Sequence, residues 1–211
     1  MENNKGKKYF DEVASQWDNL RESFFSESLR NKALHVAGVV EGKVACDVGA
    51  GRGFITEGLI KGGLKVIAVD YSQEMINEMK KKFFYSDKVD YRVGEAENLP
   101  VETGSVDYVF LNMCLHHVAV PSDAIKEMTR ILRMGGKLII TDLNSHNFEF
   151  LRTEQHDRWL GFKREDIKEW FIQAGLGNVK AECANENCCA QSSSGSDYAS
   201  VSVFIASGEK K

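Results

Sequence analysis

The chain has 211 residues, with 27 basic against 31 acidic side chains and a formal net charge of −4, a balance that excludes a strongly basic nucleic-acid binder, so no nucleic-acid partner is expected. With 43% hydrophobic, 10% aromatic and 27% charged residues, the composition is that of an ordinary globular protein, and the length points to one domain, 1–211, rather than two. No window approaches the roughly 18 apolar residues of a membrane span, and the polar stretch from Met1 to Lys8 lacks the apolar run and cleavage site of a secretory signal.

In chain order, the first 40 residues read as two helices, with Phe10, Val13 and Trp17 on one face of the first. They are expected to form a helical cap over one end of the core that residues 41–211 build. From Lys43 onward, short β-branched runs alternate with helix-length amphipathic segments, the rhythm of a doubly wound α/β sheet. The expected strands are Lys43 to Val48, Leu64 to Val69, Val89 to Val93, Val106 to Leu111 and Lys137 to Thr141. Most are too uniformly apolar to face water, which suits parallel strands covered on both faces. After Pro121, the residues Ala124, Met128, Ile131 and Leu132 form one apolar helical stripe, with Gly135 as a left-handed stop. Ile167, Trp170, Phe171 and Ala174 repeat the pattern before Gly175. Beyond Asn178, two strand-like stretches, about Val179 to Cys183 and Tyr198 to Ala206, flank a polar segment that reads as a long hairpin loop.

The strongest local signal is Asp47-Val48-Gly49-Ala50-Gly51-Arg52-Gly53, at the end of the first strand and the start of a helix. Alternate glycines let the backbone turn tightly and approach a ligand. A dinucleotide fingerprint needs a glycine at the sixth position from Gly49, where this chain has Phe54. A carboxylate at Asp47 would also repel a pyrophosphate, whereas it favours a cationic ligand such as a sulfonium cofactor with an amino group. Asp70 ends the second strand, where a carboxylate can accept both hydroxyls of a ribose. Gly94-Glu95-Ala96 after the third strand and Asn112 after the fourth add polar groups to the same edge.

On these residues the chain resembles the class I S-adenosylmethionine (SAM)-dependent methyltransferases, in particular the small-molecule branch similar to ubiquinone/menaquinone-biosynthesis methyltransferases, over roughly Phe10 to Ala206. Leu115-His116-His117 and Trp159-Leu160-Gly161-Phe162 also look like that branch. The resemblance implies a Rossmann-like, seven-stranded, mostly parallel sheet with an antiparallel last strand, helices on both faces and the N-terminal cap. It implies SAM as cofactor: Asp47, Gly49, Gly51 and Gly53 around the methionine portion, Asp70 on the ribose, Tyr71 and Met75 flanking the adenine, Glu95 and Ala96 at its edge, and Asn112 after the fourth strand. Where the family commonly has proline before paired glycines, this chain has Arg133-Met134-Gly135-Gly136, which changes turn rigidity and removes no cofactor contact.

Methyl transfer from a sulfonium is an in-line displacement, so positioning supplies most of the catalysis. A base is needed only when the small-molecule acceptor must lose a proton. His116 and His117, just past the fourth strand, are the candidates, with His117 preferred; Asp142 and His146 after the fifth strand read as structural. Tyr9, Phe10 and Trp17 belong to ordinary helix packing or, as the resemblance implies, to a lid, and Glu154, His156 and Arg158 to the acceptor pocket or a solvated face. No metal site is expected. Five cysteines without paired C-x-x-C spacing fit a reducing cytoplasm. An alternative acceptor is a thiol-bound metalloid such as arsenite, held by Cys183, Cys188 and Cys189 in the last loop, and a third reading is a SAM-binding module without catalysis. Neither the acceptor nor the oligomeric state is written in any motif.

Overall fold

The computed structural model describes residues 3–17 and 26–211, so residues 1, 2 and 18–25 of the expected cap lie outside the described residues. Its strands are β1 (Val44–Val48), β2 (Lys65–Asp70), β3 (Val89–Val93), β4 (Val106–Asn112), β5 (Leu132–Leu143), β6 (Leu176–Gln191) and β7 (Tyr198–Lys210). Its α-helices are α1 (Asn3–Val13), α2 (Glu27–Ala37), α3 (Phe54–Lys61), α4 (Gln73–Lys82), α5 (Pro121–Ile131), α6 (Glu149–Glu154) and α7 (Arg164–Gln173). The strands form one seven-stranded sheet in the order β3-β2-β1-β4-β5-β7-β6. β1 to β5 pair in parallel, and β7 runs antiparallel between β5 and β6. This is the doubly wound, mostly parallel sheet with an antiparallel last strand that the family resemblance implies.

The period of two along each strand divides the core into two layers. Ala45, Ala68, Tyr108, Phe110 and Ile139 face α2, α3 and α4, while Cys46, Val48, Val109, Leu111 and Ile140 face α5 and α7. The stripe after Pro121 is buried throughout, at Ala124, Met128, Ile131 and Leu132. Strand order reverses between β1 and β4, which opens a crevice at their carboxyl ends, where sheets of this kind bind ligands.

Three expectations change. β5 begins at Leu132, so the Arg133 to Gly136 stretch lies inside a strand, its register shifted between Val106 and Tyr108 of β4. The last loop is far shorter than expected, because β6 runs to Gln191 and carries Cys188 and Cys189 within the ladder. A register irregularity between Cys183 and Asn187, with Asn185 at φ 57°, lets the strand resume after the polar stretch that reads as a loop in sequence. Finally, of the two expected cap helices α1 lies over the carboxyl edge and α2 does not. Leu29, Ala33 and Ala37 make an apolar stripe that seats α2 on the sheet face, where Lys137 and Tyr108 donate to the carbonyls of Ala37 and Gly38. Among the described residues no helix is long and apolar enough to cross a membrane.

Adjacent residues of α7 test this layering: Phe171 is fully buried and Ile172 is 62% exposed. Phe171→Ala is expected to cost about 3–5 kcal/mol in urea denaturation, and Ile172→Ala to stay within about 0.5 kcal/mol of the parent. Equal losses would contradict the assignment of faces.

Candidate active site

The loop between β1 and α3 is held by two buried carboxylates. Asp47 Oδ2 accepts hydrogen bonds from the backbone N–H and the hydroxyl of Thr56, at 2.9 and 2.6 Å, which ties the end of β1 to the first turn of α3. Asp70 Oδ2 accepts from Gly51 N–H at 2.8 Å and Oδ1 from Ser72 N–H at 2.9 Å, so the end of β2 fixes the middle of the glycine loop. Burial pushes Asp47 up to about 7 and Asp70 up to about 6, against the lowering effect of those hydrogen bonds. Such carboxylates favour a cation beside them.

Not every glycine of the loop serves the same end. Gly51, at φ 53°, lies under the indole of Trp17, and a Cβ there would come within 3.3 Å of Nε1. Gly53, at φ 85°, faces away from the crevice: a Cβ would strike the ring of Phe83 at 2.5 Å, so this position serves the packing of α3 and α4.

Three adjoining cavities, of about 430, 70 and 50 Å³, follow the carboxyl edge. The largest is lined by Gly49, Tyr71, Glu95 and Ala96, and the second by Asp47, Gly49, Gly51, Asp70, Tyr71, Met75 and Asn112. All the sequence-expected cofactor residues except Gly53 thus meet along one crevice. The third is lined by His116, His117, Asp157 and Cys188 under Tyr9 and Phe10, and Phe10 and His117 border all three cavities.

α1 covers these cavities. Phe10 meets Tyr71 and His117 edge-on, with ring centroids 6.0 and 5.0 Å away, and the Tyr9 hydroxyl donates to Gln155. Ser72 donates to Asp11, and the guanidinium of Arg52 donates to the carbonyl of Ser15 just beyond α1.

On the acceptor side, Asp142 is fully buried. It accepts from the N–H groups of Leu115 and Leu143 and lies 2.7 Å from Nδ1 of His116, a structural use that matches its sequence reading. Burial opposes charge on His116, but Asp142 and Asp157 together push it up to about 9. His117 goes the other way: burial, then the neighbouring His116, hold it well below the ordinary imidazole range. Its Nδ1 lies 3.3 Å from the carbonyl of His156. A carbonyl can only accept, so Nδ1 carries the proton and Nε2 the lone pair. His146 Nδ1 accepts from Phe148 N–H, again structural.

Over residues 46–140 the chain matches the model of a methyltransferase domain. It is 31% identical over 147 residues to the demethylmenaquinone methyltransferase of Renibacterium salmoninarum, covering 68% of this chain and 61% of that one. The chain therefore spans about three fifths of that relative's length. The methyltransferase bound to the Trm112 activator of Haloferax volcanii superposes with a TM-score of 0.76 at 19% identity, over 95% and 96% of the two chains. Phosphoethanolamine N-methyltransferase 2 of Haemonchus contortus, solved with SAM, gives 0.70 at 19% identity, over 86% of this chain and 52% of that one. The chain belongs to the SAM-dependent methyltransferase family.

In this chain the residues expected above the acceptor divide. His156 and Arg158 line the largest cavity, whereas Glu154 accepts from the backbone and hydroxyl of Ser193 and braces the β6–β7 turn. Sequence reasoning passed over Asp157, although it stands between two residues it named, and over Met113 and Cys114, which line the crevice next to Asn112. Met113 and His156 hold positive φ without being glycine, the kind of backbone strain that gathers at functional sites. The three C-terminal sulfurs do not converge. Cys183 is exposed, and Cys188 and Cys189, as successive strand residues, project to opposite faces of β6. Among the described residues the cluster with metal-ligand spacing is His116, His117 and Asp157.

The Asp142–His116 pair has a titration signature. Because the folded His116 is raised, its contribution to stability is present in full below about pH 6.5 and lost as pH rises through about 9. Proton NMR of the imidazoles is expected to show one histidine titrating near 9, falling in Asp142→Asn. A His116 that titrates in the ordinary range in the parent chain would contradict the pairing.

Proposed function

We propose that this chain transfers a methyl group from SAM to a small-molecule acceptor by in-line displacement. The observation that carries the reading is the pair of buried carboxylates, Asp47 and Asp70, on a glycine loop at the β1–β4 switch, beside cavities roomy enough for a nucleoside. They fit the cofactor: Asp47 Oδ1 holds no hydrogen bond from a described residue and Asp47 lines the second cavity, where it would meet a cationic amino acid portion. Each Asp70 oxygen keeps a lone pair beyond the one its backbone donor uses, which suits ribose hydroxyls. Tyr71, Met75, Glu95 and Ala96 would enclose the adenine, and Gly49, Gly51 and Asn112 the methionine portion.

When bound, SAM supplies an electrophilic methyl on a sulfonium that leaves as a neutral thioether. The chain's own residues orient and enclose. Phe10 and Trp17 roof the second and third cavities and exclude water. His117 faces the place where an acceptor would lie and holds its lone pair on Nε2, so it can take a proton from an acceptor that is already acidic, such as a phenol or thiol. The enclosure by α1 favours a small acceptor over a macromolecule, and the absence of charge excess argues for neither nucleic acid nor an acidic surface as partner. A cytoplasmic setting remains the proposal that the unpaired cysteines support.

SAM and its demethylated product are each expected to raise the thermal midpoint, with no shift from NAD. Incubation with methyl-labelled SAM and fractionated metabolites is expected to label a small molecule, and His117→Ala to lower that turnover on the order of 10²-fold while the SAM-induced shift persists. A shift with NAD alone would overturn the reading, and SAM binding without any labelled product would reduce the chain to a binding module.

A further inference from the structure

The largest unexplained feature beside the cofactor crevice is the carboxylate of Asp157. Its side chain is 3% exposed, it lines two of the cavities, and no described residue donates a hydrogen bond to it. Its nearest partners are Nε2 of His116 at 3.8 Å and Nδ1 of His117 at 3.9 Å. These distances are too long for hydrogen bonds. They suit a shared ion. Two ligands bound at about 2.0–2.1 Å stand about 3.3 Å apart at a tetrahedral angle and about 4.2 Å apart in line.

We propose that His116, His117 and Asp157 bind one divalent transition-metal ion, zinc in preference to magnesium or calcium, in the wall of the acceptor cavity. The three ligand atoms lie within 4.8 Å of one another, and binding draws the widest pair in to about 4.2 Å or less. Imidazole nitrogens select zinc, cobalt or nickel over the harder cations that prefer all-oxygen sites. Asp142 engages the other nitrogen of His116, 2.7 Å from Nδ1, and so directs Nε2 toward Asp157, the carboxylate–histidine–metal arrangement that orients ligands in established sites. Both histidines sit on a short 3-10 turn anchored through Leu115 N–H to Asp142, which makes their placement rigid. Three protein ligands leave a coordination position open toward the cavity, as in catalytic zinc sites.

The consequence for the acceptor rests on the methyl-transfer reading; the binding of the ion does not. To ligate, His116 releases to solvent the Nε2 proton that Asp142 and Asp157 stabilise in the metal-free chain, and His117 gives up its long contact with the His156 carbonyl and moves its proton from Nδ1 to Nε2, so it serves as ligand instead of base. An acceptor hydroxyl or thiol bound at the open position enters as its anion, its proton released to solvent. Its electron pair then forms the new bond to the methyl carbon as the carbon–sulfur bond breaks.

The test uses the tag-free full chain, stripped with a chelator and titrated with cobalt(II), then competed with zinc. One equivalent of cobalt is expected to give visible ligand-field absorption that zinc abolishes. In Asp157→Asn, a near-isosteric change, cobalt affinity is expected to fall at least about tenfold while the thermal shift with SAM is retained. His117→Gln is expected to behave likewise. No cobalt spectrum in the parent, equal affinity in Asp157→Asn, or a spectrum dominated by sulfur ligation and indifferent to both variants would each overturn the site. Failure of SAM to stabilise the parent would count against the proposed reaction and leave the metal site standing.

Discussion

The structure depends on the cost of burying two carboxylates at the carboxyl edge of a parallel sheet. Asp47 and Asp70 are both removed from water, and the hydrogen bonds they accept from Thr56, Gly51 and Ser72 offset only part of the desolvation. Those same bonds hold the β1–α3 loop in shape. What stays uncompensated faces a crevice. A cationic ligand recovers the remainder, and in that sense the loop is built for a charge that the chain itself does not supply.

A second set of buried charges stands across the crevice. Asp142, His116, Asp157 and His117 form a chain in which only the first link is a tight hydrogen bond, at 2.7 Å. Asp142 is fully committed to two backbone amides and to His116. Asp157, by contrast, is fixed by its place after α6 and by its backbone N–H bond to Leu151, not by any partner for its carboxylate. α1 and the turn after it lie over both sets, so cofactor crevice and acceptor cavity share the same roof of Phe10 and Trp17. Removing α1 would expose both to water at once.

Much of this was legible in the sequence because it rests on local chemistry. Apolar β-branched runs mark β1, β2 and β4 to within a residue or so, and glycines at 49 and 51 mark the crevice because a Cβ there would meet Cys114 or Trp17. What was not legible depends on tertiary placement. The stripe Leu29, Ala33, Ala37 announces a buried face and does not say which surface buries it, so α2 read as part of a cap. Gly53 has the spacing of a ligand glycine, and only the position of Phe83 shows that it serves packing. Cys188 and Cys189 follow residues with turn chemistry, and the bulge near Asn185 that returns them to the ladder has no sequence marker. Asp157 is one polar residue in a polar run until α6 carries it beneath α1.

The central claim is that two buried carboxylates hold a cationic cofactor, and calorimetric titration with SAM across about pH 5.5 to 7.5 tests it most directly. Asp47 is raised to about 7 and Asp70 to about 6 in the free chain, so both must ionise fully to meet the ligand. Affinity is expected to rise with pH by on the order of 10²-fold over that range, with protons released to the buffer on binding near pH 6.5. Affinity that is flat with pH, or that falls as the carboxylates ionise, would contradict it.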